Sequence, residues 1–519
     1  MSRYSEDFYI GVDVGTQGTK AVMIKGDTGE IIGDSRKSYG IVEKPDGTRE
    51  QNAEDWKDAV VETVGTLVKN LDKRDRERIK GIGISGQQHG FVPLDKEGKV
   101  IRNVKLWNDT STARQCEEIL DKLGGLSKAL EYTGNNILPG YTAPKVLWLK
   151  ENEPENYDKL NIILLPHDYI NFFLTGEKKA EPGDASGTAY YNVKERQWSE
   201  EVLRAIDSEK DLKENLPELI ENHEPVGFIR KDVLDLLGLE SSSKIIVSSG
   251  GGDNMMGAIG TGNTKRGIIT ASLGTSGTIY AYSDFPVIDK LGELAAFCDS
   301  TGGWLPLACT MNVTVATEMI KSLFQIDNVK LEELVKSSLP GAHGLILLPY
   351  FNGERTPNVP YGTGVFFGIN EFTLTEENLA RSTMEGVTLG LRYGLEIMKR
   401  EGIKQSEIRL TGGGSKSSIW RQIVADIFNA TSVNMKIDEA ASFGAALQAM
   451  WCYFHYNGEN VEISDITDEM VKVKEETRCE PIKENVEVYD ELYSIQTELG
   501  KALNDVFQNH RELLVKRFQ

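Results

Sequence analysis

The chain has few cysteines and no pairing pattern among them. Cys116, Cys298, Cys309, Cys452 and Cys479 are scattered, odd in number, and form no Cys-x-x-Cys. That excludes a disulfide framework and a cysteine-based zinc site. The five read as small apolar fillers in a reducing compartment. No apolar run reaches membrane-spanning length, and the first residues lack the apolar stretch of a secretion signal, so a cytoplasmic protein is expected. Positive charge is scarce too: 58 Lys and Arg stand against 79 Asp and Glu, for a net charge of −21. This excludes bulk binding to nucleic acid or to an anionic membrane surface. An anionic ligand would have to be met by local donors or a metal, because the overall field repels it. There is no low-complexity linker either. At 519 residues the chain is too long for one core, so two closely packed, hinged domains are expected.

What is present begins with a repeat. The pattern Gly-Thr-x-Gly-Thr occurs at Gly15–Thr19 and again at Gly274–Thr278, near the start of each half. Such turns are either ordinary hairpin turns or a matched pair of phosphate loops, whose backbone N–H groups and hydroxyls meet phosphate oxygens. The surrounding order repeats as well. In the first half, strands over Tyr9–Asp13 and Thr19–Ile24 form a hairpin, followed by a third strand at Ile31–Ser38. The apolar stripe of Trp56, Val60, Val64, Leu67, Val68 and Leu71 predicts a helix over Asn52–Leu71. A buried strand, Ile79–Ser85, then runs into Gly86-Gln87-Gln88-His89-Gly90. The second half gives a hairpin over Ile268–Tyr282, a helix from about Glu376 to Lys399, and a strand, Ile408–Thr411, ending in Gly412-Gly413-Gly414. Hairpin, helix, strand and Gly-rich loop recur in that order, which predicts a duplicated α/β domain. The first domain is assigned to residues 1–250, the second to 251–455, and a helical tail to 456–519. Its helix, Tyr489–Phe507, is expected to pack back on the first domain.

Several residues are placed for chemistry. Asp13, at a strand end beside the first turn, suits a hydrated Mg²⁺, which takes carboxylate and water ligands. Lys20, on the return strand, would neutralise phosphate charge or simply lie in solvent. Gly250-Gly251-Gly252-Asp253-Asn254 follows another strand. Asp253 is either the N-cap of a short helix or a catalytic carboxylate. Three glycines are costly for a mere cap, which favours the catalytic reading. Gln88 and His89 stand at the C-terminal end of a strand, where open α/β sheets place ligands. Their mixed donors and acceptors suit a polyhydroxylated substrate. Trp107 adds an aromatic face. Gly412-Gly413-Gly414 is neither a Walker A loop nor a dinucleotide fingerprint, but it permits close approach to a base or ribose.

Taken together, these segments resemble the FGGY carbohydrate kinase family over roughly residues 8–455. The resemblance is carried by Asp13-Val14-Gly15-Thr16, Gly86-Gln87-Gln88-His89-Gly90, Leu106-Trp107-Asn108-Asp109, Gly250-Gly251-Gly252-Asp253-Asn254, Ser272-Leu273-Gly274-Thr275-Ser276-Gly277 and Thr411-Gly412-Gly413-Gly414. It implies a duplicated actin-like, ribonuclease-H-like ATPase fold with the active site in a cleft between two domains. It implies Asp253 as catalytic base, with Gln88, His89 and Asn254 on the sugar. Thr16, Gln17, Lys20, Gly274 and Thr275 would meet the nucleotide phosphates, and Gly412 and Gly413 the adenosine. Ser417 replaces a position that often carries Asn. The implied cofactors are ATP and Mg²⁺, and the implied partner is a small-molecule sugar, in a monomer or homodimer. The expected reaction is phosphorylation of D-xylulose at its terminal 5-hydroxyl. Alternatives are another ketose, sugar acid or polyol as acceptor, and, more distantly, a non-catalytic regulator.

Overall fold

The computed structural model describes residues 4–240 and 242–518. The chain divides into two compact units. The first comprises residues 1–265, 282–305 and 439–471, and the second residues 266–281, 306–438 and 472–519.

In the first unit, Phe8–Val14 pairs antiparallel with Gly18–Lys25, which pairs antiparallel with Ile31–Ser38. On its other side Phe8–Val14 pairs in parallel with Ile79–Gly86. Ile246–Val247 and then Gly251–Gly252 continue in parallel beyond Ile79–Gly86. Branched apolar residues alternate along these strands and meet the stripe of helix Ala53–Lys69, whose Trp56, Val60 and Val64 are fully buried. The helix starts where Asn52 accepts a hydrogen bond from the Glu54 N–H, a side-chain cap that satisfies one end donor.

The second unit repeats this order. Gly267–Leu273 pairs antiparallel with Gly277–Ala281, which pairs antiparallel with the strand ending at Thr310. Gln405–Thr411 and Thr431–Met435 follow in parallel on the other side. Two antiparallel pairs followed by two parallel ones, in matching order, define a duplicated α/β fold. Helix Glu376–Arg400 occupies the place of the first unit's long helix, capped by the Thr375 hydroxyl.

Two sequence expectations are corrected. The tail helix, Lys483–Phe518, packs on the second unit, not the first. Its Tyr489 hydroxyl donates to Glu385 at 2.6 Å, and Gln496 donates to the carbonyls of Leu347 and Gly386. Asp253 and its helix, Asp253–Gly260, lie in the first unit rather than the second. So does helix Ala440–Tyr456, which the chain sends back to the first unit after most of the second has been built.

That returning helix sets the geometry of the site. Its backbone lies against glycines of strands Phe8–Val14 and Ile79–Gly86, and against helix Asp253–Gly260. A Cβ on Gly11 would fall 1.8 Å from the Ser442 carbonyl oxygen, and one on Gly83 would fall 2.1 Å from that of Ala445. On the helix itself, a Cβ on Gly444 would fall 1.8 Å from the Met256 carbonyl oxygen. Rigid backbone on both sides leaves no side chain to yield. Gly444→Ala is therefore expected to destabilise the protein by about 1–3 kcal/mol or more, read as a fall in Tm. An unchanged Tm would contradict this packing.

Candidate active site

The ends of the parallel strands of the first unit gather most of the singled-out residues. Strand Ile79–Gly86 delivers Gln88 and His89. Strand Phe8–Val14 delivers Asp13 and the first Gly-Thr turn, and Gly251–Gly252 delivers Asp253 and Asn254.

Asp253 is the first residue of its helix, and the capping position belongs to Gly252. The carboxylate thus stands within the first turn of the helix rather than before it. Its Oδ1 accepts from the Asn254 N–H at 2.8 Å and from Asn254 Nδ2 at 3.0 Å. Asn254 Nδ2 also donates to Gln88 Oε1 at 2.8 Å. Gln88 Nε2 donates to the Met255 sulfur at 3.4 Å. Burial of its carboxylate pushes Asp253 up to about 8, helped by the negative charges of Asp13 and Asp184, against the two Asn254 bonds. The glycines before it are there for close approach. Gly250 is left-handed (φ 74°), and a Cβ on Gly252 would fall 2.7 Å from Gln88 Cγ.

His89 is held unusually. Its own φ is 62°, a left-handed conformation that is strained for a side-chain-bearing residue. The strain is opposed by two donors on its carbonyl: Lys145 Nζ at 2.6 Å and Thr142 Oγ1 at 3.2 Å. Both come from helix Thr142–Asn152. The ring stands edge-on to Tyr141 (4.8 Å between centroids) and near Phe297 (5.6 Å), and it is seated on Gly187, where a Cβ would fall 2.2 Å from its Cε1.

At the first turn, the carbonyls face inward. Gly15 O accepts from the Tyr39 hydroxyl, and Thr16 O from Gln51 Nε2, both at 2.7 Å. The Gly15 N–H is itself bonded within the turn, to the Gly18 carbonyl at 3.1 Å. Trp107 donates from Nε1 to Thr16 Oγ1 at 2.9 Å, so its indole braces this turn. Its neighbour Asp109 is buried and structural, accepting from Arg49 N and Lys105 Nζ. Gln17 is exposed. Lys20 is ion-paired with Glu439 at 2.7 Å, so phosphate would compete with a carboxylate for it.

Asp13 accepts from the Ser85 hydroxyl at 2.8 Å. Burial raises it to about 6, against the Ser85 bond and the Lys20 charge. Among the described residues, no three His, Cys, Asp or Glu side chains are gathered to hold a metal alone. One carboxylate beside a phosphate turn fits Mg²⁺, which keeps waters and takes its other ligands from phosphate.

The second unit holds the remaining predicted residues. The carbonyls of Gly274 and Thr275 accept from the N–H groups of Thr314 and Val313, so this turn also faces its carbonyls inward. Gly412 (φ 82°) packs on the Leu273–Gly274 backbone, which joins the Gly-rich loop to the turn, and Gly413 borders open space. The Ser417 hydroxyl caps helix Ser418–Phe428 by accepting from the Trp420 N–H at 3.3 Å.

Tyr141 and Lys145 lie in a stretch, Pro139–Lys145, that carries the family resemblance but was given no role, and the buried run Glu181–Thr188 was missed. The signal was there: Gly183 and Gly187 flank Asp184 in a stretch of small residues.

Each half of the duplicated fold carries a Gly-Thr turn whose carbonyls are held by hydrogen bonds, and the first unit also carries a carboxylate beside amide groups. Residues 8–260 match the N-terminal domain, and residues 269–453 the C-terminal domain, of the FGGY family of carbohydrate kinases. The chain is 41% identical to a xylulose kinase of Haemophilus influenzae over 93% of its own length and 98% of that protein's. It is 32% identical to a xylulose kinase of Bacillus subtilis, covering 97% of this chain and 99% of the other. A solved xylulose kinase from Bifidobacterium adolescentis superposes with a TM-score of 0.80 at 30% identity, covering 94% of this chain and 99% of that one. The chain belongs to the FGGY family of carbohydrate kinases. It is a phosphotransferase with the actin-like ATPase fold, acting on a sugar hydroxyl with ATP as donor.

Gly187→Ala is expected to displace the His89 ring and raise the sugar KM roughly tenfold or more, with the ATP KM little changed. An unchanged sugar KM would remove His89 from the site.

Proposed function

We propose that the protein phosphorylates D-xylulose on its 5-hydroxyl, with Asp253 as general base. The supporting observation is a carboxylate raised by burial and bonded to an amide that also bonds Gln88, in a chain 41% identical to a xylulose kinase. The Asp253 carboxylate accepts the hydroxyl proton as the sugar oxygen bonds to the γ-phosphorus and the bond from that phosphorus to the leaving ADP oxygen breaks. A carboxylate near 8 is a far stronger proton acceptor than one near 4. Gln88, His89 and Asn254 hold the sugar hydroxyls. The N–H faces of the turns at Thr16 and Gly274–Thr275 meet phosphate oxygens, and Lys20 exchanges Glu439 for phosphate. Gly412 and Gly413 lie against the adenosine. Asp13 would hold Mg²⁺, which when bound would supply charge neutralisation on the phosphates. The protein works in the cytoplasm; among the described residues no helix is long and apolar enough to cross a membrane.

Sugar-dependent ADP release, compared over D-xylulose, other ketoses and polyols, tests the substrate. The highest kcat/KM is expected with D-xylulose, and no sugar-stimulated release would overturn the kinase reading for these residues. Asp253→Asn is expected to lose at least about a hundredfold in kcat while still binding sugar. The same change carries a stability signature. A carboxylate whose folded pKa is about 8 is penalised in the folded state above its unfolded value near 4, and the penalty grows as pH rises from 4 to 8. Asp253→Asn should therefore raise Tm at pH 8.5, with the gain shrinking as pH falls toward 4. A Tm difference independent of pH would contradict the buried carboxylate.

A further inference from the structure

Glu354 is a carboxylate of the second unit that the reaction does not use, and it is buried, 4% exposed. The loop that carries it is closed on itself. The Glu354 N–H donates to the Val359 carbonyl at 2.9 Å, and the Val359 N–H donates back at 3.0 Å. Gly353 is left-handed (φ 72°), and a Cβ there would fall 2.4 Å from the Pro360 carbonyl oxygen. From this loop the carboxylate holds the segment that follows the strand ending at Thr310. Its Oε1 accepts from the Met311 N–H at 2.6 Å and from the Arg355 N–H at 2.9 Å. Its Oε2 accepts from Asn312 Nδ2 at 3.3 Å, and the same amide donates to the Gly353 carbonyl at 2.8 Å. Asn312 Oδ1 in turn accepts from the Asn352 N–H and Nδ2, at 3.2 and 3.1 Å. Burial pushes Glu354 up to about 7, against these bonds and the Arg355 charge. An ionised carboxylate accepts at both of its oxygens, as the donors gathered here require, whereas an amide of the same length accepts at one.

The next two residues hold the second Gly-Thr turn. The Val313 N–H donates to the Thr275 carbonyl at 3.1 Å, and the Thr314 N–H to the Gly274 carbonyl at 3.0 Å. Val313 also packs on the turn's second glycine, since a Cβ on Gly277 would fall 2.6 Å from its Cγ2. In the first unit the carbonyls of the matching turn are held directly by the side chains of Tyr39 and Gln51. In the second unit the holding groups are backbone N–H groups, and that backbone must itself be anchored. Glu354 anchors residues 311 and 312, and residues 313 and 314 hold the turn.

We propose that Glu354 is a positioning residue of the kinase, which fixes residues 311–314 so that the Gly274–Thr275 turn keeps one shape for the nucleotide phosphates. This rests on the reading of that turn as a phosphate loop.

Glu354→Gln tests it, because it keeps the size of the side chain and leaves one acceptor atom where two are used. It should raise the ATP KM about tenfold and lower kcat several-fold, with the sugar KM within about twofold. The calorimetric Kd of a non-hydrolysable ATP analogue should rise about tenfold as well. Without nucleotide, amide hydrogen exchange over residues 311–314 should quicken about tenfold, with residues 15–19 unchanged. Faster exchange with unchanged ATP KM and Kd would leave Glu354 a purely structural residue and overturn the inference. Equal rises in the ATP and sugar KM would overturn it too. Thr275→Asp tests the underlying reading separately. Thr275 is exposed, so the fold bears the change, and a carboxylate facing phosphate should raise the ATP KM at least about tenfold. An unchanged ATP KM in Thr275→Asp would overturn the phosphate reading of the turn and this inference with it. A raised value there beside an unchanged one in Glu354→Gln would overturn the inference alone. If Glu354→Gln does not fold, Asn312→Ser decides. It removes the side-chain bridge from the loop to residues 311–314 and should raise the ATP KM several-fold, and an unchanged value would overturn the proposal.

Discussion

The first unit holds carboxylates, one buried and two half-buried, that have almost no positive charge to meet them. Asp13, Asp184 and Asp253 stand near one another in the first unit, and desolvation raises all three. Asp184 is met by buried His167, which lies between it and Asp168 and is pushed well above its usual value by the two carboxylates, against desolvation. The charge near Asp253 is left uncompensated, which is the condition for a carboxylate that holds a proton near neutral pH. A protein of net charge −21 gains nothing in stability from this arrangement, so it is read as functional strain.

Backbone proximity makes such crowding possible. Helix Ala440–Tyr456 can touch strands Phe8–Val14 and Ile79–Gly86 only because Gly11 and Gly83 carry no side chain. This pins the strand ends from which Asp13, Gln88 and His89 emerge. The same device is used at finer scale at Gly187 and Gly252, which seat His89 and Gln88. Lys145 then holds the carbonyl of a residue whose backbone would otherwise relax. The Asp253 carboxylate, the amides and the histidine are positioned by elements that already have little room to move.

Much of this was legible in the sequence. Apolar periodicity located the hairpins, the helices Ala53–Lys69 and Glu376–Arg400, and the repeated order that defines the fold. Strand-end position singled out Gln88 and His89, and the three glycines singled out Asp253. Periodicity carries no information on which unit an element joins, so the return of Ala440–Tyr456 to the first unit and the docking of Lys483–Phe518 on the second were invisible. Partner choice was equally hidden. Nothing in one dimension pairs Lys20 with Glu439, Trp107 with Thr16, or His167 with Asp184, because these contacts span 17 to 419 residues of chain.

The central claim is that Asp253 is the proton acceptor and that burial holds its pKa far above that of an ordinary carboxylate. The most direct test is the pH dependence of sugar-dependent ADP release by the unmodified enzyme, with sugar and MgATP both well below their KM values, so that the free enzyme is read. The account predicts a rate that climbs with pH to a midpoint near 8. A rate flat from pH 5 to 9, with its acid limb near 4, would contradict it.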